Sequence, residues 1–259
     1  MEMHYDNEFH ESLRARMNKR NFRRSELAWR DFVTAYPQCS KYEEIWLRSH
    51  RPGVSPLSMN IPWINFPALE YLRRHIRLHH RVFEWGMGGS TTFFLKHCRQ
   101  IVSVEHSKEW FLTCKEQIEA VTSPISSSIV RFLKRQRKSC IILREPSAVL
   151  SKRPCFSGVA RYHRLDFHDY IHYISTWPQE EFDIILIDGR ARMHAAELAA
   201  RHVKRGGLII IDNSDYRRYQ LHIDALRQNQ FHNWEEIALL GPGPFSSCIG
   251  WKTTIFKRP

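Results

Sequence analysis

Glycine and proline are scarce, with 11 and 12 among 259 residues, which excludes a collagen-like repeat and a flexible low-complexity chain. No apolar run approaches the ~20 residues needed to cross a bilayer as a helix, so no membrane partner is expected. The six cysteines stand apart without a Cys-x-x-Cys pair, which argues against a disulfide scaffold or a zinc knuckle. His-Glu-x-x-His is absent as well. The opening residues Met1-Glu2-Met3-His4-Tyr5-Asp6 lack the charged-then-apolar pattern of a secretory signal, so the expected location is cytoplasmic. Acids are in deficit: 27 Asp and Glu against 39 Lys and Arg give a net charge of +12. That balance favours anionic partners, nucleic acid among them. The basic residues gather at 14–24 and 131–138, and neither run interleaves the aromatics of a base-stacking surface.

What the chain does have is one informative stretch, Val82-Phe83-Glu84-Trp85-Gly86-Met87-Gly88-Gly89-Ser90-Thr91-Thr92. An apolar run passes an acid, turns through three glycines and continues into a helix-like segment, which is how a buried strand reads when it feeds a helix. Glycines let the backbone turn sharply and approach a ligand where a Cβ would clash. The helix start near Ser90 would aim free N–H groups at that ligand. A second apolar run, 101–104, ends on Glu105. An acid about 20 residues beyond the glycine turn is placed to accept hydrogen bonds from a ribose diol.

Further along, alternating strand and helix patterns continue. The N-terminal 80 residues read as a helical extension, with helices at 25–36, around 42–48 and at 68–76 separated by a Pro/Gly-rich loop at 51–56. Strands are expected at 82–85, 101–105, 139–144, 182–187, 208–211, 234–240 and 248–256, with helices between the first six and an irregular segment at 145–164. The link between the last two is too short for a helical crossover, so they should pair antiparallel. This predicts a doubly wound α/β domain over 81–259.

The Glu-x-Gly-x-Gly-x-Ser-Thr pattern at 84–91 resembles the first motif of class I S-adenosylmethionine-dependent methyltransferases, and the order of elements resembles their Rossmann-like fold. The resemblance implies a seven-stranded sheet in the order 3-2-1-4-5-7-6 with an antiparallel last strand. It implies S-adenosylmethionine as cofactor, held by Glu84, Gly86, Gly88, Ser90, Thr91, Glu105 and Asp188. Asp188-Gly189-Arg190-Ala191-Arg192 is similar to a motif of uncharacterised bacterial members. Asp188, Asp212 and Asn213 also resemble the metal site of catechol-type O-methyltransferases, and three hard oxygen donors would suit Mg²⁺. Those enzymes carry a lysine where this chain has Ala191.

Asp188, Arg190 and His194 are the candidate catalytic residues, with Asp215 and His168 as further base candidates. Two arginines beside the reacting methyl would suit an acidic acceptor; alternatively one forms an internal ion pair. The expected activity is methyl transfer to an O or N of a small, anionic or glycan acceptor. RNA methylation is the weaker alternative, since the chain lacks an Asn/Asp-Pro-Pro-Tyr/Phe motif after the fourth strand. A nicotinamide-dependent oxidoreductase is disfavoured by Thr91 in place of a third glycine. A catalytically silent binding module is the non-enzymatic alternative.

Overall fold

A computed structural model describes residues 19–122, 138–244 and 249–259; the side chains of both basic runs lie outside the described residues. The helices are α1 (Lys19–Ala35), α2 (Glu43–Ser49), α3 (Pro56–Met59), α4 (Phe66–His75), α5 (Gly89–His97), α6 (Lys108–Thr122), α7 (His168–His172), α8 (Arg192–His202) and α9 (Arg217–Gln228). The strands are β1 (Arg81–Trp85), β2 (Gln100–Glu105), β3 (Lys138–Leu143), β4 (Phe182–Ile187), β5 (Val203–Ile211), β6 (Glu235–Pro242) and β7 (Gly250–Lys257). They form one sheet in the order β3-β2-β1-β4-β5-β7-β6, as the motif order implied. β1 to β5 run parallel, and β7 lies antiparallel to both β5 and β6.

Strand alternation divides the core in two. Phe83, Trp85, Val104, Ile185 and Ile187 face the helices α7, α8 and α9. Val82, Ile101, Ile184, Leu186 and Ile210 face α4, α5 and α6. Covered on both faces, the central strands need continuous apolar sequence, which is why 184–187 reads as an unbroken run.

Two element bounds differ from expectation for identifiable reasons. α1 begins earlier than residue 25 and stops at Ala35, where Pro37 opens a 3₁₀ turn (Pro37–Tyr42). The strand expected from 208 already starts at Val203, where the backbone turns extended after α8 and pairs beside Phe182. Arg205-Gly206-Gly207 therefore sits inside β5, and the register shifts between Phe182 and Ile184. Gly206 takes φ +73° to make that kink.

The N-terminal helices join the second core layer. Trp29 and Trp46 stack at 4.6 Å, and both are buried with α4 and β1 residues. Asn65 is the tie between this segment and the sheet edge. Its Oδ1 caps α4 by accepting from the Ala68 N–H at 2.9 Å, while Nδ2 donates to the carbonyls of Leu239 and Trp251 on β6 and β7 at 2.7 and 2.8 Å. The α3 turn lies directly against the start of α5: a Cβ on Gly89 would stand 2.2 Å from the Pro56 carbonyl oxygen and 2.3 Å from that of Ile61.

Gly89→Ala must therefore push α3 off α5. We predict a loss of about 2–3 kcal/mol in urea unfolding; a loss below about 0.5 kcal/mol would show that the two segments are not in firm contact.

Candidate functional site

The carboxyl ends of β1, β2, β4 and β5 open into a cleft of about 480 Å³. Its floor includes Gly86, Gly88, Ser90, Glu105, Asp188 and Asn213, and its far wall comes from residues 49–57 of the N-terminal segment. The irregular segment after β3 contributes Val159 and Arg161. Asp166 organises that segment by accepting the N–H groups of Ser151, Cys155 and His168 at 2.7–2.9 Å.

The glycines of the turn do different things. Gly86 has φ +96°, and a Cβ there would meet Gly189 Cα and N at 3.0 Å, so β1 and β4 touch through two glycines. Gly88 is different: it lines the cleft in extended backbone, and a Cβ would meet nothing nearer than Trp110 Cζ2 at 3.9 Å. Protein packing does not require a glycine at 88. Its missing side chain keeps room for a ligand over the start of α5. Trp110 walls this end and donates from Nε1 to the Met87 carbonyl.

Beneath the turn lies Glu84, wholly buried. Its Oε1 accepts from the hydroxyls of Thr91 and Ser103, while Oε2 makes no hydrogen bond. Burial pushes this carboxyl up to about 7, against the hydroxyls, which favour the ionised form. Thr91 is likewise buried, and its Oγ1 also accepts from the Gly88 N–H at 3.1 Å. Both residues brace the turn from below rather than lining the cleft. Glu105 does line it. Its Oε2 accepts from the Met87 N–H at 2.9 Å, and Oε1 accepts from the N–H groups of His106 and Ser107 at 2.8 Å. Burial would raise its pKa, but His106 and these N–H donors outweigh it and hold the carboxyl below the usual range.

The loop after β4 separates its two arginines. Arg192 is buried, and all five of its N–H donors are engaged. Nε donates to the Gly189 carbonyl at 3.0 Å, Nη2 to the Asp188 carbonyl at 2.8 Å and to Asp188 Oδ1 at 3.0 Å, and Nη1 to the Asp212 carbonyl and to Asn213 Oδ1 at 2.9 Å. The arrangement gives no support to the expectation that Asp188, Asp212 and Asn213 bind Mg²⁺. A guanidinium stands among the three oxygen donors and supplies the positive charge itself, so a divalent cation does not fit. Asp212 is further occupied, since its Oδ1 accepts from Trp251 Nε1 at 2.8 Å and Thr253 Oγ1 at 2.6 Å. Burial pushes Asp212 up to about 6, opposed by Arg192 and these donors. Asp188 keeps 23% of its side chain exposed to the cleft. Burial and the nearby Asp212 and Glu84 raise its pKa, against the pull of Arg192 and Arg190.

Arg190 points the other way in function: it lines the cleft, and its buried Nε has no partner. His194 does not reach the site. It sits on α8 among Glu197, His222 and His172, away from the cleft wall, and burial lowers its pKa. His168 and Asp215 are likewise absent from the wall. Arg51, Arg161, Trp110 and Arg218 do line it, and none lies in a motif that sequence reading could single out.

A parallel sheet with a glycine turn, a carboxylate at the tip of β2 and a cleft across the carboxyl ends of β1 and β4 defines an α/β nucleotide-cofactor protein of class I methyltransferase architecture. The model of a methyltransferase-domain family matches residues 83–214, just over half of the chain. The chain belongs to that family of methyltransferase domains. No curated protein matches it. Among solved structures it is similar to a tRNA (m1A58) methyltransferase of Aquifex aeolicus, at 12% identity over 76% of this chain and 71% of that one, with a TM-score of 0.47. An rRNA methylase of Streptococcus thermophilus is 12% identical over 73% of this chain and 93% of that one, with a TM-score of 0.43. A spermidine synthase of Thermotoga maritima is 13% identical over 70% of this chain and 54% of its own, with a TM-score of 0.44. Likenesses at this level carry no argument about what this chain acts on.

Folded Glu84 holds its proton up to about 7, against 4.5 for an ordinary glutamate, so the folded state takes up a proton across that window. Its contribution to stability therefore falls as pH rises from about 4.5 to about 7. Glu84→Gln removes this dependence, and urea unfolding at pH 5 and pH 7.5 should show the variant gaining on the parent at the higher pH. Parallel profiles would contradict the burial argument.

Proposed function

We propose that the protein transfers the methyl group of S-adenosylmethionine to an oxygen or nitrogen of a small anionic acceptor. The observation that carries this reading is the continuity of one cleft from the glycine turn and Glu105 to Asp188 and Arg190. S-adenosylmethionine supplies an electrophilic sulfonium methyl when bound. Two features of the chain fit it: the space kept open at Gly88 and the carboxylate of Glu105 on the cleft floor. Glu105 would accept from the ribose hydroxyls, with Trp110 beside the base. Gly86, Gly88 and Ser90 would lie along the rest of the cofactor, above Glu84 and Thr91.

In-line displacement needs a nucleophile held close and aligned, and a base for its proton. Asp188 is the group for the second task. Arg192 fixes Oδ1, and the rest of the side chain opens to the cleft. Arg190 would hold the acceptor's anionic group beside it. The N-terminal 80 residues serve, in this reading, as an extension whose 49–57 segment closes the cleft over the bound molecules.

Calorimetric titration with S-adenosylmethionine, S-adenosylhomocysteine and NAD tests the reading. Binding of the first two with about −8 kcal/mol, the micromolar range, and none of NAD is expected. Glu105→Gln should weaken S-adenosylhomocysteine about tenfold, the loss of a charge-assisted hydrogen bond to each hydroxyl. Binding of NAD alone would replace the methyltransferase reading with a nicotinamide one.

A further inference from the structure

Guanidiniums outnumber carboxylates around the cleft. Five arginines line it, Arg51, Arg161, Arg190, Arg192 and Arg218, and among the described residues no lysine does. Four carboxylates line it as well, Glu105, Glu109, Asp188 and Asp212, and the last two are engaged by Arg192. Arg51, Arg190 and Arg218 form no ion pair with any described carboxylate, although they come from three separate elements. Self-repulsion among unpaired guanidiniums is unfavourable unless an anion joins them.

Two of the three are held in place by aromatic rings rather than by acids. The Arg218 guanidinium carbon lies 4.9 Å from the Tyr216 ring centre and 5.0 Å from that of Tyr219. That of Arg190 lies 5.6 Å from the Tyr162 ring centre. Ring contacts orient a guanidinium without using its N–H donors. Arg218 spends one donor weakly, on the Gly158 carbonyl at 3.4 Å, and Arg190 Nε is buried without a partner. The donors thus remain available for a ligand.

Charge decides which anion. Five guanidiniums against four carboxylates leave the cleft with one net positive charge, and the cofactor of the reading above brings one more as its sulfonium. A single carboxylate on the acceptor would neutralise only a fraction of this. A phosphate monoester brings two charges and three oxygens, matching guanidinium forks from several directions. We infer that Arg190 and Arg218 form a subsite for a phosphate monoester on the methyl acceptor. The assignment rests on the methyl-transfer reading for the word acceptor, but the anion site itself does not depend on it.

The test is titration of the full chain with inorganic phosphate, pyrophosphate, acetate and a short oligouridylate at constant ionic strength, each with and without S-adenosylhomocysteine. Phosphate or pyrophosphate should bind, and Arg190→Gln and Arg218→Gln should each weaken that binding by about tenfold while leaving S-adenosylhomocysteine affinity unchanged. Failure to bind either phosphate, or binding unaltered in both variants, overturns the subsite. Acetate binding as tightly as phosphate would make it a carboxylate site, and oligouridylate binding more tightly than pyrophosphate would make it a phosphodiester track; either result overturns the monoester assignment. Absence of S-adenosylhomocysteine binding with intact phosphate binding would overturn the methyl-transfer reading and leave the anion site standing.

Discussion

The buried guanidinium of Arg192 is the constraint on which the site depends. Five hydrogen bonds from one planar group tie the loop after β4 to the tip of β5. Through Asp212 the same network reaches Trp251 and Thr253 on β7, so the antiparallel strand is locked to the cleft end of the sheet. Removing one partner from such a network leaves buried charges uncompensated, at a cost of several kcal/mol. The arrangement also sets what Asp188 can do. One oxygen is held, and the side chain faces the cleft.

Around this clamp, close backbone approaches shape the floor. Gly86 against Gly189 lets β1 and β4 meet with no side chain between them, and Gly89 lets α3 press on the start of α5. The second contact matters for function because α3 follows the 49–55 stretch of the cleft wall. Asn65 anchors the same segment at its other end, on β6 and β7. The N-terminal helices are thus part of the cleft's construction, fixed at two points rather than draped over it.

Much of this was legible in the sequence where chemistry repeats locally. Apolar runs covered on both faces, the glycine turn and the acid at the tip of β2 marked the sheet and the end at which its cleft opens. The bound of β5 was missed because Gly206-Gly207 reads as a stop when it is a kink within a strand. Arg192 was one of two equivalent arginines on paper. Only the fold shows that it meets Asn213, 21 residues away, while Arg190 turns to the cleft. Arg51 and Arg218 come from a loop and a helix start with no motif, so their place in the cleft lining has no sequence signature.

The central claim is that a cofactor lies over the glycine turn, between Glu105 and the 49–57 wall. Amide hydrogen exchange of the protein with and without S-adenosylhomocysteine reports this most directly. The account predicts slowed exchange at 86–91, 105–110 and 49–57, with β6 and α9 unchanged. Protection that spares 86–91, or that appears only at the sheet's far edge, would contradict it.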